Sequence, residues 1–282
     1  MGLYPATEIQ RLRDSPNRHH PPSFALRHRH NFIRIGEHGF ALAMRVVPRS
    51  HRFHLAALIA RGAEPMLRRT DAYREQEIKN FHNPYEISLH LVLNALTKNA
   101  TTFAPPIVVK GFDELARAHS AGKGVLVIGH HAALTLLMVR FLYDQEVHPI
   151  VITPDPQMSV AGTSVTVRTI QPSPSFLLKL RSSLRRGEVV CAMPDRAEHE
   201  KQRTFDFAIP GGRVIVAPAL MQVATRCGAK VIFAEIHAER NILAGTLATP
   251  SASDVDTITD DFVAFVRATT GSASAAETFQ GG

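Results

Sequence analysis

The sequence has no tryptophan, only two cysteines and no long uninterrupted apolar segment. The cysteines, Cys191 and Cys227, have no CxxC partner, which excludes a disulfide framework and a zinc ribbon. The longest apolar stretch, 124–143, contains two histidines and an arginine, whereas a membrane-spanning helix needs about 20 consecutive apolar residues. The first residues also lack the apolar core of a secretory signal. We therefore expect a cytoplasmic protein, either soluble or peripheral on the inner face of the membrane.

The composition is that of a globular protein with a sizeable core. Of the 282 residues, 45% are hydrophobic and 20% are charged, which excludes disordered, collagen-like and coiled-coil chains. Positive charge is concentrated in residues 1–60, which contain nine arginines and no lysine against three acidic residues. This basic segment favours an anionic partner such as a membrane surface, an acidic carrier protein or nucleic acid, or else it is a solvated tail that binds nothing specific.

Hydrophobic periodicity divides the chain into regions. Residues 1–35 have no lasting period and predict a basic, loosely ordered arm. From position 36 to about 99, apolar residues recur every three or four positions and predict helices, with Pro48, Pro65 and Pro84 at helix boundaries or in first turns. The small, polar residues 271–282 predict a flexible tail.

From Ile107 onward, short β-rich runs alternate with helical patterns. Runs such as VLVIG and VIFAEI are almost continuously apolar, as expected of strands that are covered on both faces. This alternation predicts an α/β fold with a mostly parallel central sheet flanked by helices and preceded by the helical N-terminal section. We expect one domain over residues 36–270.

Reactive side chains follow two of the predicted strands. GVLVIG leads directly into His130 and His131, and EVVCAMP leads into Asp195 and Arg196. Ligands of α/β sheets bind beyond the carboxyl ends of the strands, where a histidine can serve as a general base. The alternative interpretations are a histidine that caps a helix or binds a carbonyl, and an Asp195 that caps the following helix. The spacing of these residues and Cys191 does not indicate a zinc site.

Three segments together resemble a known family. They are KGVLVIGHHAALT, Pro194–Asp195 and FDFAIPGGRVIVAPALMQVATRCGAKVIFAEI, and they resemble the late acyltransferases of lipid A assembly, within the lysophospholipid acyltransferase-like superfamily. The resemblance covers roughly residues 36–270 and implies a glycerolipid acyltransferase-like fold. In that family the catalytic histidine stands seven positions after the glycine that leads its strand. Counting from Gly124 gives His131, with His130 as the neighbouring candidate.

The resemblance implies a transferase of bacterial lipid biosynthesis. An acyl group would pass from an acyl carrier protein or coenzyme A thioester to a hydroxyl or amine of a lipid or small molecule, with His131 as general base and no metal or organic cofactor. The basic residues 1–60 would then contact an anionic membrane peripherally. No nucleic-acid module is recognisable, so we expect no nucleic-acid partner.

One position departs from the family motif, in which an acidic residue follows the histidine after four intervening residues and orients its ring. The residue at that position is Leu136. The ring would then be oriented by a backbone carbonyl, or by Asp155 or Asp195 from the end of a neighbouring strand. Otherwise the chain is a degenerate relative that binds acyl chains or a carrier protein without transferring anything.

Further residues are assigned to substrate binding. Arg196 and Arg213 would bind a phosphate of the pantetheine arm or of the acceptor, and Gly211 and Gly212 match the small-residue turn of the family. For the arginines the alternative is an ordinary solvated surface role. The PGGR turn does not predict a P-loop, because no lysine and hydroxyl residue follow it in the required positions.

Overall fold

Helices cover both faces of a central sheet in the computed structural model, which describes residues 47–74, 83–99, 106–160, 165–195, 204–209, 212–239 and 242–277. The helices are α1 (Arg49–Leu67), α2 (Pro84–Asn99), α3 (Phe112–Ser120), α4 (Leu137–Asp144), α5 (Phe176–Arg185), α6 (Ala219–Arg226) and α7 (Val255–Glu277). The strands are β1 (Ile107–Lys110), β2 (Val125–Gly129), β3 (Ile150–Ile152), β4 (Arg168–Ile170), β5 (Val189–Ala192), β6 (Phe205–Ile209), β7 (Gly212–Val216), β8 (Lys230–Glu239) and β9 (Ile242–Ala248).

The main sheet has seven strands in the order β1-β9-β8-β2-β5-β3-β4. Only the β8–β9 pair is antiparallel, while the other five neighbouring pairs of this sheet are parallel. Strand β2 lies in the middle, between β8 and β5, so its carboxyl end opens at the centre of the sheet edge. This arrangement confirms the predicted α/β class with a mostly parallel sheet.

Alternate residues of β2 enter different hydrophobic clusters, which explains why VLVIG is apolar throughout. Val125 and Val127 pack with residues of α1 to α4, and Leu126 and Ile128 pack with residues of α5 to α7. A strand that is buried on both faces has no solvent side on which polar residues would be favoured. Each fully buried valine, leucine or isoleucine contributes about 1.5–3 kcal/mol to stability.

The N-terminal helical section is present where the chain is described. Helix α2 begins with an Asn-Pro pair, in which the side-chain oxygen of Asn83 accepts hydrogen bonds from the backbone N–H groups of Tyr85 and Glu86. The guanidinium of Arg61 on α1 lies 4.9 Å from the centre of the Tyr85 ring and joins the two helices. No helix within the described ranges is both long enough and apolar enough to cross a membrane.

Several boundaries differ from the predictions. Pro65 lies inside α1 rather than at its boundary, although the helix ends soon afterwards at Leu67. Strand β7, which pairs with β6 in a separate antiparallel hairpin, was not predicted. Helix α7 continues past residue 270 to Glu277, into the segment predicted as a flexible tail. The predicted arm, residues 1–35, lies outside the described residues, as do residues 278–282.

Candidate active site

The carboxyl ends of β2 and β5 bring His131 and Asp195 together. These strands are parallel neighbours in which Ile128 lies opposite Ala192. The separation of 64 residues between those positions is the same as that between His131 and Asp195. His131 and Asp195 each lie three residues beyond this pair, so they occupy matching positions just after the two strands end. A local rule of sheet geometry thus accounts for a contact between residues far apart in sequence.

Asp195 holds both the backbone and the ring of His131. Its Oδ2 atom accepts a hydrogen bond from the backbone N–H of His131 at 2.6 Å, and its Oδ1 atom lies 2.5 Å from Nδ1 of the ring. An ionised carboxylate can only accept, so in the neutral ring Nδ1 carries the hydrogen. The other ring nitrogen, Nε2, is then left with a lone pair, which a general base requires.

The electrostatics agree with an ionised Asp195. Burial by itself raises the pKa of this carboxyl, but the hydrogen bonds from His131 outweigh burial and hold the pKa below its usual range. Burial lowers the pKa of the adjacent His130, although the charge of Asp195 opposes this effect. His130 is therefore neutral near pH 7, and the acid beside it is charged.

The two histidines differ in their access to solvent. The side chain of His131 is 23% exposed and that of Asp195 is fully buried, whereas His130 is only 1% exposed. A general base has to reach the proton that it removes, so the geometry favours the ring of His131 over that of His130. Asp195, shielded from water, can orient that ring without making its own contact with a substrate.

The position of the family's acidic residue does not contribute to this pair. Leu136 is 40% exposed and lies at the start of α4. Asp155, the other acidic residue considered from the sequence, is exposed and accepts a hydrogen bond from the backbone N–H of Gln157 at 2.9 Å, in a local turn. Of the two carboxylates considered, the structure brings Asp195 to the ring.

A tight turn carries His131 from β2 to α4. A Cβ atom added to Gly129 would lie 2.6 Å from Cγ2 of Thr135, so the glycine permits the turn to fold back over the strand end. Within the turn, the N–H of Ala132 donates to the carbonyl of His130 at 2.8 Å. The N–H groups of Ala133 and Leu134, by contrast, make no hydrogen bond within the part of the chain that the structure describes.

Of the four residues assigned to substrate binding, the structure describes two. Arg196 and Gly211 lie outside the described residues. Gly212 and Arg213 begin β7, opposite Ile209 and Ala208 of β6 respectively. The other end of β7 is the part that approaches the pair of His131 and Asp195, the dyad.

At that far end, the backbone N–H of Ala217 donates to the carbonyl of Pro194 at 3.0 Å. The β6–β7 hairpin thus supports the loop that carries Asp195, with Gly212 and Arg213 at its opposite end.

Cys191 lies on β5 near Asp195 in sequence, but its thiol is not a reactive group. Burial raises its pKa to about 12, which keeps the thiol protonated and non-nucleophilic at neutral pH. Among the described residues, no group of three or more His, Cys, Asp or Glu side chains is arranged to hold a metal ion.

Helix α2 carries polar residues that were not predicted to belong to the site. Glu86, His90 and Asn94 recur at intervals of four and therefore lie on one face of a largely apolar helix. Oε1 of Glu86 accepts a hydrogen bond from the backbone N–H of Ala238 on β8 at 2.9 Å. The spacing of these three polar residues in an apolar helix was the sequence signal that could have identified them. It is a weaker indication of a functional site than a histidine that directly follows a strand.

A second buried acid lies beside the site on the central sheet. In the β2–β8 pairing Gly129 is opposite Ala234, so Glu235 follows immediately beyond the end of β2. Burial raises the pKa of Glu235 to about 8; a hydrogen bond with Thr269 opposes this rise, and the charge of Glu86 adds to it. Burial also raises the pKa of Glu86 to about 7.

Among solved structures, the fold is similar to the crystal structure of the 1-acyl-sn-glycerophosphate (LPA) acyltransferase PlsC from Thermotoga maritima. The two sequences are 11% identical, the match covers 83% of this chain and 100% of that one, and the TM-score is 0.37. No protein-family model matches the sequence, and no curated protein matches it either. Similar folds support unrelated reactions, so the function is inferred from the site itself.

Proposed function

We propose that this protein is an acyltransferase that moves a fatty acyl group from a thioester to a hydroxyl or amine acceptor. The observation that carries the proposal is the His131–Asp195 pair at the carboxyl ends of two central parallel strands. A half-buried imidazole that is oriented by a fully buried carboxylate is suited to proton transfer. The resemblance of residues 123–135 and 205–236 to lipid A acyltransferases supports acyl transfer as the reaction.

In the proposed mechanism, Nε2 of His131 removes the proton from the acceptor hydroxyl as its oxygen attacks the thioester carbonyl. The tetrahedral intermediate collapses by breaking the carbon–sulfur bond. The proton then passes from His131 to the departing thiolate, so the products are an ester and a thiol. Asp195 stays ionised throughout and stabilises the charged ring. A well-placed general base of this kind supplies about 10²–10⁴ in rate.

The negative oxygen of the intermediate needs donors, and the turn after His131 supplies candidates. The backbone N–H groups of His131 and Ala132 are already used within the fold. Those of Ala133 and Leu134, which have no partner among the described residues, remain to donate to an oxyanion. Loss of one such donor typically costs about 10²–10³ in kcat.

Charge and surface composition support the proposed donor and the proposed location. An acyl carrier protein is acidic and coenzyme A carries phosphates, so either fits a chain with a basic N-terminal region. On α1, Leu58 and Met66 are exposed beside the exposed Arg61. Apolar and cationic side chains together favour peripheral contact with an anionic membrane, where a lipid acceptor would be found.

The direct test is acyl transfer by purified protein. With an acyl carrier protein or coenzyme A thioester, we expect release of free thiol that depends on an added acceptor. His131→Ala should lower turnover at least about a hundredfold. His119→Ala, which removes an exposed histidine on α3, is the matched control and should behave as wild type.

Retention of most activity in His131→Ala would refute the assignment of the base. Saturable binding of acyl chains or carrier protein, with no transfer to any acceptor, would instead support the degenerate relative that Leu136 suggests. The contact between Asp195 and His131 favours the active enzyme over that alternative.

A further inference from the structure

His90 of α2 makes contacts toward the turn that contains the N–H groups of Ala133 and Leu134, which have no hydrogen-bond partner among the described residues. Its Nε2 atom lies 2.8 Å from the amide nitrogen of Asn94, one helical turn further along. An amide nitrogen donates, so Nε2 accepts and the hydrogen of the neutral ring is on Nδ1. Asn94 thereby fixes the tautomer of His90, as Asp195 fixes that of His131.

The His90 ring also bonds to the turn, and because Asn94 occupies Nε2, the nitrogen left for this bond is Nδ1. Burial lowers the pKa of His90 to about 4, and a hydrogen bond with the backbone of Ala133 opposes this shift. Only an acceptor favours the protonated ring, so the group bound is the Ala133 carbonyl. Ile87, which precedes His90 by three residues on α2, also packs against Ala133 in a small buried cluster. Helix α2 therefore touches this turn through a polar and an apolar contact.

The hydrogen bond to the Ala133 carbonyl also fixes the direction of the Leu134 N–H. The Ala133 carbonyl and the Leu134 N–H belong to one planar trans peptide, so they point in opposite directions. Holding the carbonyl from one side fixes the direction of the N–H on the other. The Leu134 N–H has no hydrogen-bond partner among the described residues, and it lies three residues after His131.

We propose that His90 is a positioning residue, which holds the Ala133–Leu134 peptide so that the Leu134 N–H donates to the acyl carbonyl oxygen as negative charge develops there. The inference rests on the proposed acyl transfer and adds to it a part of the machinery supplied by the N-terminal helical section. His90 itself touches neither donor nor acceptor. Its effect falls on the transition state, because the oxyanion accepts this hydrogen bond more strongly than the ground-state carbonyl does.

The experiment compares His90→Leu with His90→Asn in the full-length protein. Leucine removes the donor, and we expect kcat to fall about ten- to a hundredfold while KM changes by less than about threefold, since the interaction strengthens only in the transition state. The asparagine amide nitrogen occupies nearly the place of Nδ1 and should restore kcat to within about fivefold of wild type. His119→Leu is the matched control at an exposed histidine and should leave kcat unchanged.

A second measurement separates positioning from general damage. Alkylation of His131 by a bromoacetyl thioester reports the dyad, and its rate should be the same in wild type and in His90→Leu. If His90→Leu does not fold, the wild-type protein still answers the question by NMR. A coenzyme A analogue in which a methylene group replaces the thioester sulfur should then shift the Leu134 amide resonance more than that of Leu115.

The outcomes divide cleanly between the two proposals. A wild-type protein that transfers nothing, or that is unaffected by His131→Ala, overturns the proposed function and this inference with it. A normal requirement for His131, combined with unchanged kcat in His90→Leu, overturns only the role of His90. So does a failure of asparagine to restore kcat, or an unshifted Leu134 amide.

Discussion

Two buried acidic groups lie at the same region of the sheet edge and behave in opposite ways. Asp195 follows β5 and is bonded to His131, and its pKa lies below the usual range. Glu235 lies on β8, on the opposite side of β2 from β5 and just beyond the end of β2. Burial and the nearby charge of Glu86 raise its pKa to about 8. Burial acts on both carboxyls in the same direction. The difference therefore comes from their partners, because a histidine stabilises the charged form and a second acid destabilises it.

The comparison predicts opposite effects of pH on stability. A depressed pKa, as at Asp195, adds stability that is present above the ordinary aspartate pKa and is lost as the pH falls through the lower folded value. A raised pKa, as at Glu235, adds stability that is present below the ordinary glutamate pKa and is lost as the pH rises toward about 8. One site thus strengthens the fold at neutral pH and the other weakens it.

The largest effect is expected when the partnered acid is neutralised. Asp195→Asn removes the charge while keeping the shape, so His131 loses the partner that fixes its tautomer and stabilises its charged form. We expect kcat to fall about a hundredfold or more, measured as thiol release from the acyl donor. Asp155→Asn is the control, because its carboxylate lies in an exposed turn. Equal loss of activity in both variants would contradict the role of Asp195.

Glu235 should respond in the opposite sense. Glu235→Gln removes a carboxyl that must ionise in a buried place, so above pH 8 the variant should be more stable than wild type by a few kcal/mol at most. Near pH 4 the two should be alike. Chemical denaturation across this pH range measures the difference, with Glu239→Gln, at an exposed position on the same strand, as the control. A variant that is less stable than wild type at pH 9 would show that the hydrogen bond with Thr269 outweighs the cost of burying the Glu235 charge.

The smallest effect is expected from a substitution of Gly129, which ends β2 between Asp195 and Glu235. Gly129→Ala would press its Cβ against Cγ2 of Thr135 and, at 3.0 Å, against the carbonyl of Ala234. We expect a loss of about 1–3 kcal/mol in the free energy of unfolding, measured by denaturant titration. Gly62→Ala on α1 meets nothing within 4 Å and should stabilise the fold by up to about 1 kcal/mol. Equal stability of the two variants would mean that the turn tolerates a side chain at position 129.

The sequence predicted most of the sheet because the signal for a doubly covered strand is strong. VLVIG is continuously apolar and VIFAEI is almost so, and both belong to central strands. The hairpin strand β7 was missed because it begins with a glycine and an arginine after a Pro-Gly pair, which is a pattern typical of turns. Helix α7 extends beyond residue 270, where the predicted domain ended. Its last residues are small ones such as alanine and serine, which are compatible with a helix but give little hydrophobic periodicity.

The site could be predicted only in part. His131 was found because it directly follows a strand, which is a local property. Its pairing with Asp195 depends on which strand lies beside β2 and in what register, and no local pattern contains that information. The role proposed for His90 depends in addition on how α2 packs against the turn. The neighbour of a strand and the packing of a helix are both features of tertiary structure, and a single sequence does not display them.

The pairing of His131 with Asp195 can be tested most directly by NMR of protein labelled with nitrogen-15 in its histidine rings. At neutral pH we expect uncharged His131 to carry its hydrogen on Nδ1, and we expect this preference to be lost in Asp195→Ala. A hydrogen on Nε2 in the wild-type protein, or a ring spectrum that Asp195→Ala leaves unchanged, would show that Asp195 does not orient the His131 ring.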